Sequence, residues 1–586
     1  MHASTKVNRQ NKSAGLSHSG TRRSFSQRLP SSLTLSLLSG VLLWAAFPPL
    51  GWWPLAWIAP VGWLWLIRYE RLPGRRPYRT LALTSLVHWL AVLQGIRLAH
   101  PALYLGWFAL SAYLAVYPVL FVVLTRVAVQ RWRASIVVAA PIVWTGLELV
   151  RGHAITGFSM ALLGHTQTSW GDLLQIADIF GAYGVSFVVM LVAAAVARML
   201  PIEAGPDPSA EAKWTWWPVI PGVVVLATAL AYGRYQERPA GGSTLPAPGL
   251  RVALLQGSFD TIFEFDPERD RRVFRHYREL SEQAVQRHPD VQLVVWPESM
   301  FSGDLGEVLI DEPIQVPPDL PLDPEEYRFR ARTRAEAFGL KLQDTARRLN
   351  FGRESQVDHA ERAGIHLIAG TDTLHLGADG MRRYNAALVV NPAGEVAGRY
   401  YKMHRVMFGE YIPWGEVFPW LYRLTPMSQG INSGSSPECF RVGDVNLSPS
   451  ICFESTVPHL IRTQVSALRQ SGTPPDVLVN VTNDGWFWGS NILDLHLACA
   501  VYRAVENRLP MLVAANTGIS AVIDSHGRIV ERGPRRDEAI LYADVRCESR
   551  DTWYQTLGDI PAMLCAIFCL VAALHGLSGF RRNKLG

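Results

Sequence analysis

From Leu33 to Tyr232 the chain is a succession of apolar stretches separated by short polar joints, and few architectures tolerate that pattern. A helix crossing the hydrocarbon core of a bilayer needs roughly 20 predominantly apolar residues, fewer where aromatic and basic residues anchor its ends. Seven candidate spans lie near 33–50, 53–67, 80–97, 102–125, 135–150, 177–197 and 216–233, and an eighth lies near 559–578; the second and fifth are short. From Leu250 to about Thr556 the chain instead reads as a globular domain. A hydrophobic content of 49% is high for a soluble chain, while 18% charged residues is too many for a membrane bundle alone, so the two kinds of surface must be segregated. Core helices of a soluble protein would be the other reading of the apolar runs, and their density disfavours it.

The joints orient the spans. The first thirty residues carry Lys6, Arg9, Lys12, Arg22, Arg23 and Arg28 among Ser and Asn, and read as a disordered basic tail. No small-residue cleavage site closes the following apolar run, so a retained first span is expected rather than a removed signal peptide. The second joint holds Arg68, Arg71, Arg75, Arg76 and Arg79, and the fourth Arg126, Arg131 and Arg133. The first joint, 47–54, has no charge, and the third offers only Arg97 and His100. Basic joints face the cytoplasm. Seven spans starting there carry the globular domain to the far side, and the eighth returns a tail with Arg581, Arg582 and Lys584. The net charge of +6 thus reflects topology, not nucleic acid as partner. Glu148 and Arg151 stand three apart near the end of the fifth span, and read as a pair snorkelling to the interface or as an intramembrane site.

The expected domains are the tail 1–30, a seven-helix membrane domain 31–235, a catalytic domain 245–556, and a last span with a basic tail over 557–586. Within the catalytic domain, short apolar runs at Leu250–Leu255, Val291–Trp296, Ile365–Ala369, Ala386–Val390, Val477–Val481 and Met511–Ala514 suit buried strands. Asn391–Gly394 and Asp524–Gly527 are hairpin signals. Apolar residues recur at helical spacing in Pro267–His288 and Ile492–Arg508, which makes the domain a layered α/β unit. The stretch 301–364, rich in Pro and Arg, reads as a surface insertion or a lid. Six cysteines without a CxxC pair indicate neither a disulfide scaffold nor a zinc site, and HExxH and P-loop patterns are absent, so no metal or cofactor is expected.

Three segments each place one reactive side chain beside a strand end: Trp296-Pro-Glu298, Tyr400-Tyr-Lys402-Met-His404 and Ser450-Ile-Cys452-Phe-Glu454. Singly, each has a plain structural explanation, since most cysteines are small buried hydrophobes and most lysines are solvated. Together they complete a covalent mechanism. A thiol attacks as thiolate, a carboxylate can take its proton, and an ammonium can stabilise both thiolate and oxyanion. Glu298 is the candidate base, Cys452 the nucleophile and Lys402 the oxyanion partner.

These segments, with Phe408-Gly-Glu-Tyr-Ile-Pro413, Gln256-Gly257, Tyr384-Asn385-Ala386, Thr482-Asn-Asp-Gly-Trp486 and Ala515–Ala521, resemble the nitrilase superfamily, and within it the apolipoprotein N-acyltransferase family. In the membrane part, Phe47–Pro54 and Trp144–Gly152 resemble the same family. The resemblance runs from about residue 33 to the end, leaving out the stretch read as an insertion. It implies an αββα sandwich joined to the membrane bundle, and a two-step reaction on the outer side of the bacterial inner membrane. Cys452 takes an acyl chain from a phospholipid as a thioester, then passes it to the free amine of a lipoprotein's diacylglyceryl-cysteine. Glu410 and Glu454 map onto the family's supporting glutamates, and Asn385 onto a further supporting position. Phe453 stands where the family usually has Tyr, and Arg405-Val-Met407 replaces Leu-Val-Pro. Two other readings use the same residues differently: a membrane-tethered amidase, and a transporter or scaffold whose outer domain only binds.

Overall fold

A computed structural model of the chain describes residues 30–98, 100–201, 215–237, 249–261, 266–303, 305–317, 322–351, 364–424, 430–547 and 550–585. All of the expected basic tail except Pro30 lies outside the described residues.

The apolar half folds as helices α1 (Ser32–Ala46), α2 (Val61–Arg68), α3 (Pro77–Val92), α4 (Leu103–Arg126), α5 (Ile136–His153), the single turn α6 (Gly171–Leu174), α7 (Ala177–Met199) and α8 (Val219–Gln236), and a last helix runs Ile560–Leu585. Every expected span contains a helix, but they are unequal. Leu103–Arg131, Ile136–His153, Ala177–Met199 and Ile560–Ser578 are long and apolar enough to cross a membrane by length and composition. The second expected span holds only the eight residues of α2, because Pro54 sits at the start of a tight turn, Trp53–Trp57, that comes before it. The outward faces carry exposed Leu83, Val87, Leu105, Val223, Leu564 and Leu574, an apolar exterior that water would penalise and lipid would not.

Glu148 and Arg151 are both buried, so they do not snorkel. Glu148 accepts from Trp144 Nε1 at 2.9 Å and from the Leu163 amide at 2.7 Å; Arg151 donates to the carbonyls of Met160 and Ala161 at 3.2 Å each. The two charges fasten the segment after α5 to that helix. An unpaired backbone group would be costly there.

Among the described residues, the other half forms thirteen strands in two sheets. The first has the order β13 (Ala539–Arg546), β1 (Gly249–Gln256), β2 (Leu293–Val295), β4 (His366–Gly377), β5 (Gly380–Val390), β6 (Val396–Tyr401), with β3 (Glu307–Ile310) also on β4. The second has the order β12 (Ile529–Arg532), β11 (Ala521–Ile523), β10 (Met511–Ala515), β9 (Val477–Thr482), β8 (Val445–Ile451), β7 (Phe440–Val442). The alternation of side chains explains the layering. Leu250, Val252 and Leu254 of β1 meet Val477, Val479 and Val481 of β9 between the sheets. Ala253 and Leu255 point the other way, onto Tyr277, Leu280 and Ala284 of α9 (Pro267–Arg287). Helices α9 and α10 (Pro324–Asn350) cover the first sheet, and α11 (Pro458–Gln470) and α12 (Ile492–Asn507) the second, which gives the αββα sandwich.

The stretch 301–364, expected as an insertion, instead supplies β3 and α10. Phe338, Leu342 and Leu349 of α10 enter the same core as Trp296, with Asp323 capping the helix. Its many arginines concealed an apolar stripe at helical spacing.

Helix α12 joins the two halves. Leu497, Ala500 and Val501 share a core with Leu174, Tyr183 and Val185 of the bundle. Tyr502 donates to the Gly164 carbonyl at 2.6 Å, and Asn491 to the Val92 carbonyl at 2.8 Å.

Candidate active site

Three strand ends converge between the sheets. Glu298 follows β2, where Gly370 of the neighbouring strand passes so close that a Cβ there would lie 2.5 Å from the Glu298 Cα and 2.3 Å from the Pro297 carbonyl. Glu298 Oε1 accepts from Asn385 Nδ2 at 2.6 Å and lies 3.4 Å from Lys402 Nζ, while Oε2 accepts from the Asn483 amide at 2.9 Å. Lys402, just after β6 and 1% exposed, pairs with Glu410 at 2.6 Å. Asn385 Nδ2 also reaches Glu410 at 3.4 Å, and Glu410 Oε2 accepts from the Val406 amide at 2.7 Å. Burial disfavours the Lys402 ammonium, but Glu410 and Glu298 outweigh it and hold its pKa well above the usual lysine range.

Cys452 opens a tight turn after β8 with φ of 54°, a left-handed conformation that costs a non-glycine residue about 1–3 kcal/mol. Burial first, then the Glu298 charge, raise its thiol pKa well above the ordinary value, against the opposing pull of Lys402. The resting thiol therefore stays protonated, and attack requires an adjacent base. Lys402 lies 3.4 Å from Glu298, and the charges of both act on the Cys452 thiol.

The supporting residues hold this arrangement. Glu454 is fully buried and accepts four hydrogen bonds: Tyr400 Oη at 2.8 Å, and the amides of Ile451 at 2.7 Å, Met403 at 2.6 Å and His404 at 2.9 Å. It stitches the Lys402 loop to the Cys452 turn. Phe453 stacks on His404 with ring centroids 5.9 Å apart and packs against the core of the membrane bundle. The Cys452 turn thus lies against the apolar half of the chain. Nearby, Phe408, Trp414, Phe418 and Trp420 are exposed on the loop that carries Glu410.

Sequence reasoning missed one pair. His496 of α12 contacts the Cys452 carbonyl through Nε2 at 3.1 Å and Asp484 through Nδ1 at 3.0 Å, and both residues are buried. Ser455 Oγ also lies 2.9 Å from Nε2; Asp484 and the Cys452 carbonyl can only accept, and an imidazolium satisfies both. Burial opposes that charge, yet Asp484 prevails and raises the His496 pKa. Asn480 Nδ2 also donates to the Cys452 carbonyl, at 3.2 Å. The signal was a histidine among the apolar residues of α12.

The half-buried Cys452 turn sits in an αββα sandwich, and residues 251–555 of that sandwich match the family model described as carbon–nitrogen hydrolase. Residues 39–195 match the model of the apolipoprotein N-acyltransferase N-terminal domain. An apolipoprotein N-acyltransferase of Rhodopirellula baltica is 34% identical, covering 93% of this chain and 97% of the relative. One from Geobacter metallireducens is 32% identical over 94% and 96%, and one from Chlorobaculum tepidum 29% over 94% and 99%. The chain belongs to the apolipoprotein N-acyltransferase family. Among solved structures, Saccharomyces cerevisiae Nit3, of the nitrilase superfamily, is similar at 18% identity and a TM-score of 0.35, covering 55% of this chain and 97% of that one.

Proposed function

We propose that the protein moves a fatty acyl chain from a membrane phospholipid, through a thioester on Cys452, to the N-terminal amine of a diacylglyceryl-cysteine in apolipoproteins. The observation that supports this reading is the Glu298–Lys402 pair, whose charges act on Cys452, next to a turn whose Phe453 packs against the apolar bundle. In the first half-reaction Glu298 takes the thiol proton as Sγ attacks the ester carbonyl. The Lys402 ammonium, held by Glu410, faces the oxyanion of the tetrahedral intermediate. Collapse breaks the ester C–O bond, and the departing lysophospholipid alkoxide takes the proton back from Glu298. In the second half the lipoprotein amine attacks the thioester, Glu298 receives its proton, and the amide forms as the Cys452 sulfur leaves and is reprotonated. Holding both lipids at one surface removes much of the encounter entropy.

The reading includes eight spans, with α1, α3, α8 and the stretch from the Trp53–Trp57 turn through α2 joining the four helices long and apolar enough to cross, and the domain on the outer face of a bacterial inner membrane. It includes the domain limits 31–235 and 245–556. Its test is incubation of purified protein with acyl-labelled phospholipid and a diacylated lipopeptide. Label on the lipopeptide amine supports it; release of free fatty acid alone, with no triacylated product, would point to a hydrolase and sink it.

A further inference from the structure

His153, His459 and Asp559 meet at the seam between bundle and catalytic domain. His153 ends α5, His459 lies in the first turn of α11, and Asp559 directly precedes the last helix. One donor atom of each lies within 4.8 Å of the other two. The ligands are 306 and 100 residues apart in sequence, so no spacing motif could show them.

Each side chain has an atom turned to the centre. His153 Nδ1 lies 3.0 Å from the Leu149 carbonyl, which can only accept, so Nδ1 carries the proton and Nε2 presents its lone pair. That Nε2 is 3.9 Å from Asp559 Oδ2, too far for a hydrogen bond and close to what two ligands on one ion require at roughly 2.0–2.2 Å each. Tyr554 Oη donates to Asp559 Oδ1 at 2.8 Å, which fixes the carboxylate with Oδ2 facing His153. His459 Nδ1 is buried without a hydrogen-bond partner among the described residues. The two imidazoles stack at 4.1 Å, so closing on one ion requires a tilt, which the 44% exposed His153 side chain can make.

The donor set narrows the ion to a divalent transition metal. Two imidazoles and one carboxylate suit zinc, whereas calcium and magnesium want all-oxygen shells. Arg462 stands behind Gly558, beside Asp559, and further disfavours ions held by charge alone. We propose that His153, His459 and Asp559 form a zinc(II) site with its fourth position open to water. The ion ties a membrane helix, the helix after the Cys452 turn and the last helix together. This inference does not depend on the acyl-transfer reading.

The test is zinc titration by calorimetry of the full chain in detergent, after chelation, followed by cobalt(II) substitution. Support is one equivalent bound, cobalt d–d bands without a thiolate charge-transfer band, and at least tenfold weaker binding in both His153→Ala and Asp559→Asn. If Asp559→Asn does not fold, the exposed His153→Ala decides alone. No zinc bound at micromolar concentration, a thiolate band, or affinity unchanged in His153→Ala overturns the proposal.

Discussion

Glu454→Gln isolates how far the Cys452 turn depends on its support. The carboxylate accepts two hydrogen bonds on each oxygen: Met403 and His404 amides on Oε1, Tyr400 Oη and the Ile451 amide on Oε2. Glutamine keeps the volume but turns one acceptor into an NH2 donor facing two donors. Hydrogen bonds to a charged group contribute about 1.5–3 kcal/mol each, so the gross loss is about 3–6 kcal/mol. Part is returned because burial already strains the carboxylate, whose pKa is raised. If about 1.4–2.8 kcal/mol of the remainder falls on the geometry of attack, acylation slows about 10–100-fold. The assay is single-turnover release of labelled lysophospholipid across a donor series. The expected result is a lower kcat with KM nearly unchanged, since Glu454 is buried behind the nucleophile. A wild-type kcat, or a change confined to KM, refutes the idea that this carboxylate sets the turn.

Lys402→Met removes the ammonium between Glu298 and Glu410; losing an oxyanion partner costs roughly 2.7–4 kcal/mol, about 100–1000-fold in rate. Its thermal midpoint should fall too, because the buried Glu298 and half-buried Glu410 carboxylates then face each other, and calorimetry reads this directly. Gly370→Ala forces a Cβ into the Pro297–Glu298 backbone and should slow acylation at least tenfold, an overpacking cost of about 1–3 kcal/mol; an unchanged rate would show that Glu298 has room to move. The His496 pKa is raised in the fold, so its stabilisation is complete below the unfolded value of roughly 6.5 and is lost as pH rises through the folded value. Thermal midpoints across that window should decline with pH in the wild type, and the slope should flatten in Asp484→Asn.

The strands of the catalytic domain were legible because they are buried on both faces and read as short apolar runs ended by turns; β1, β2, β9 and β10 stand where those runs lie. The strand-end positions of Glu298, Lys402 and Cys452 were legible because each lies in a distinctive local sequence. Two kinds of feature stayed hidden. Long-range contacts such as His496–Cys452 leave no trace in spacing, since a helix presents His496 to a turn 44 residues earlier. Arginine-rich α10 looked like surface because composition outweighed periodicity. The bundle was legible as apolar, but the lengths of its helices were not: prolines at turns and the loop fastened by Glu148 and Arg151 shorten what hydropathy alone would extend.

The most direct test of the central claim is intact-protein and peptide mass spectrometry after exposure to phospholipid alone. An added acyl mass on the Cys452 peptide, removed by hydroxylamine or by a diacylated lipopeptide and absent in Cys452→Ser, is the predicted result. Acyl transfer to lipopeptide with no adduct ever trapped on Cys452, or undiminished in Cys452→Ser, contradicts it.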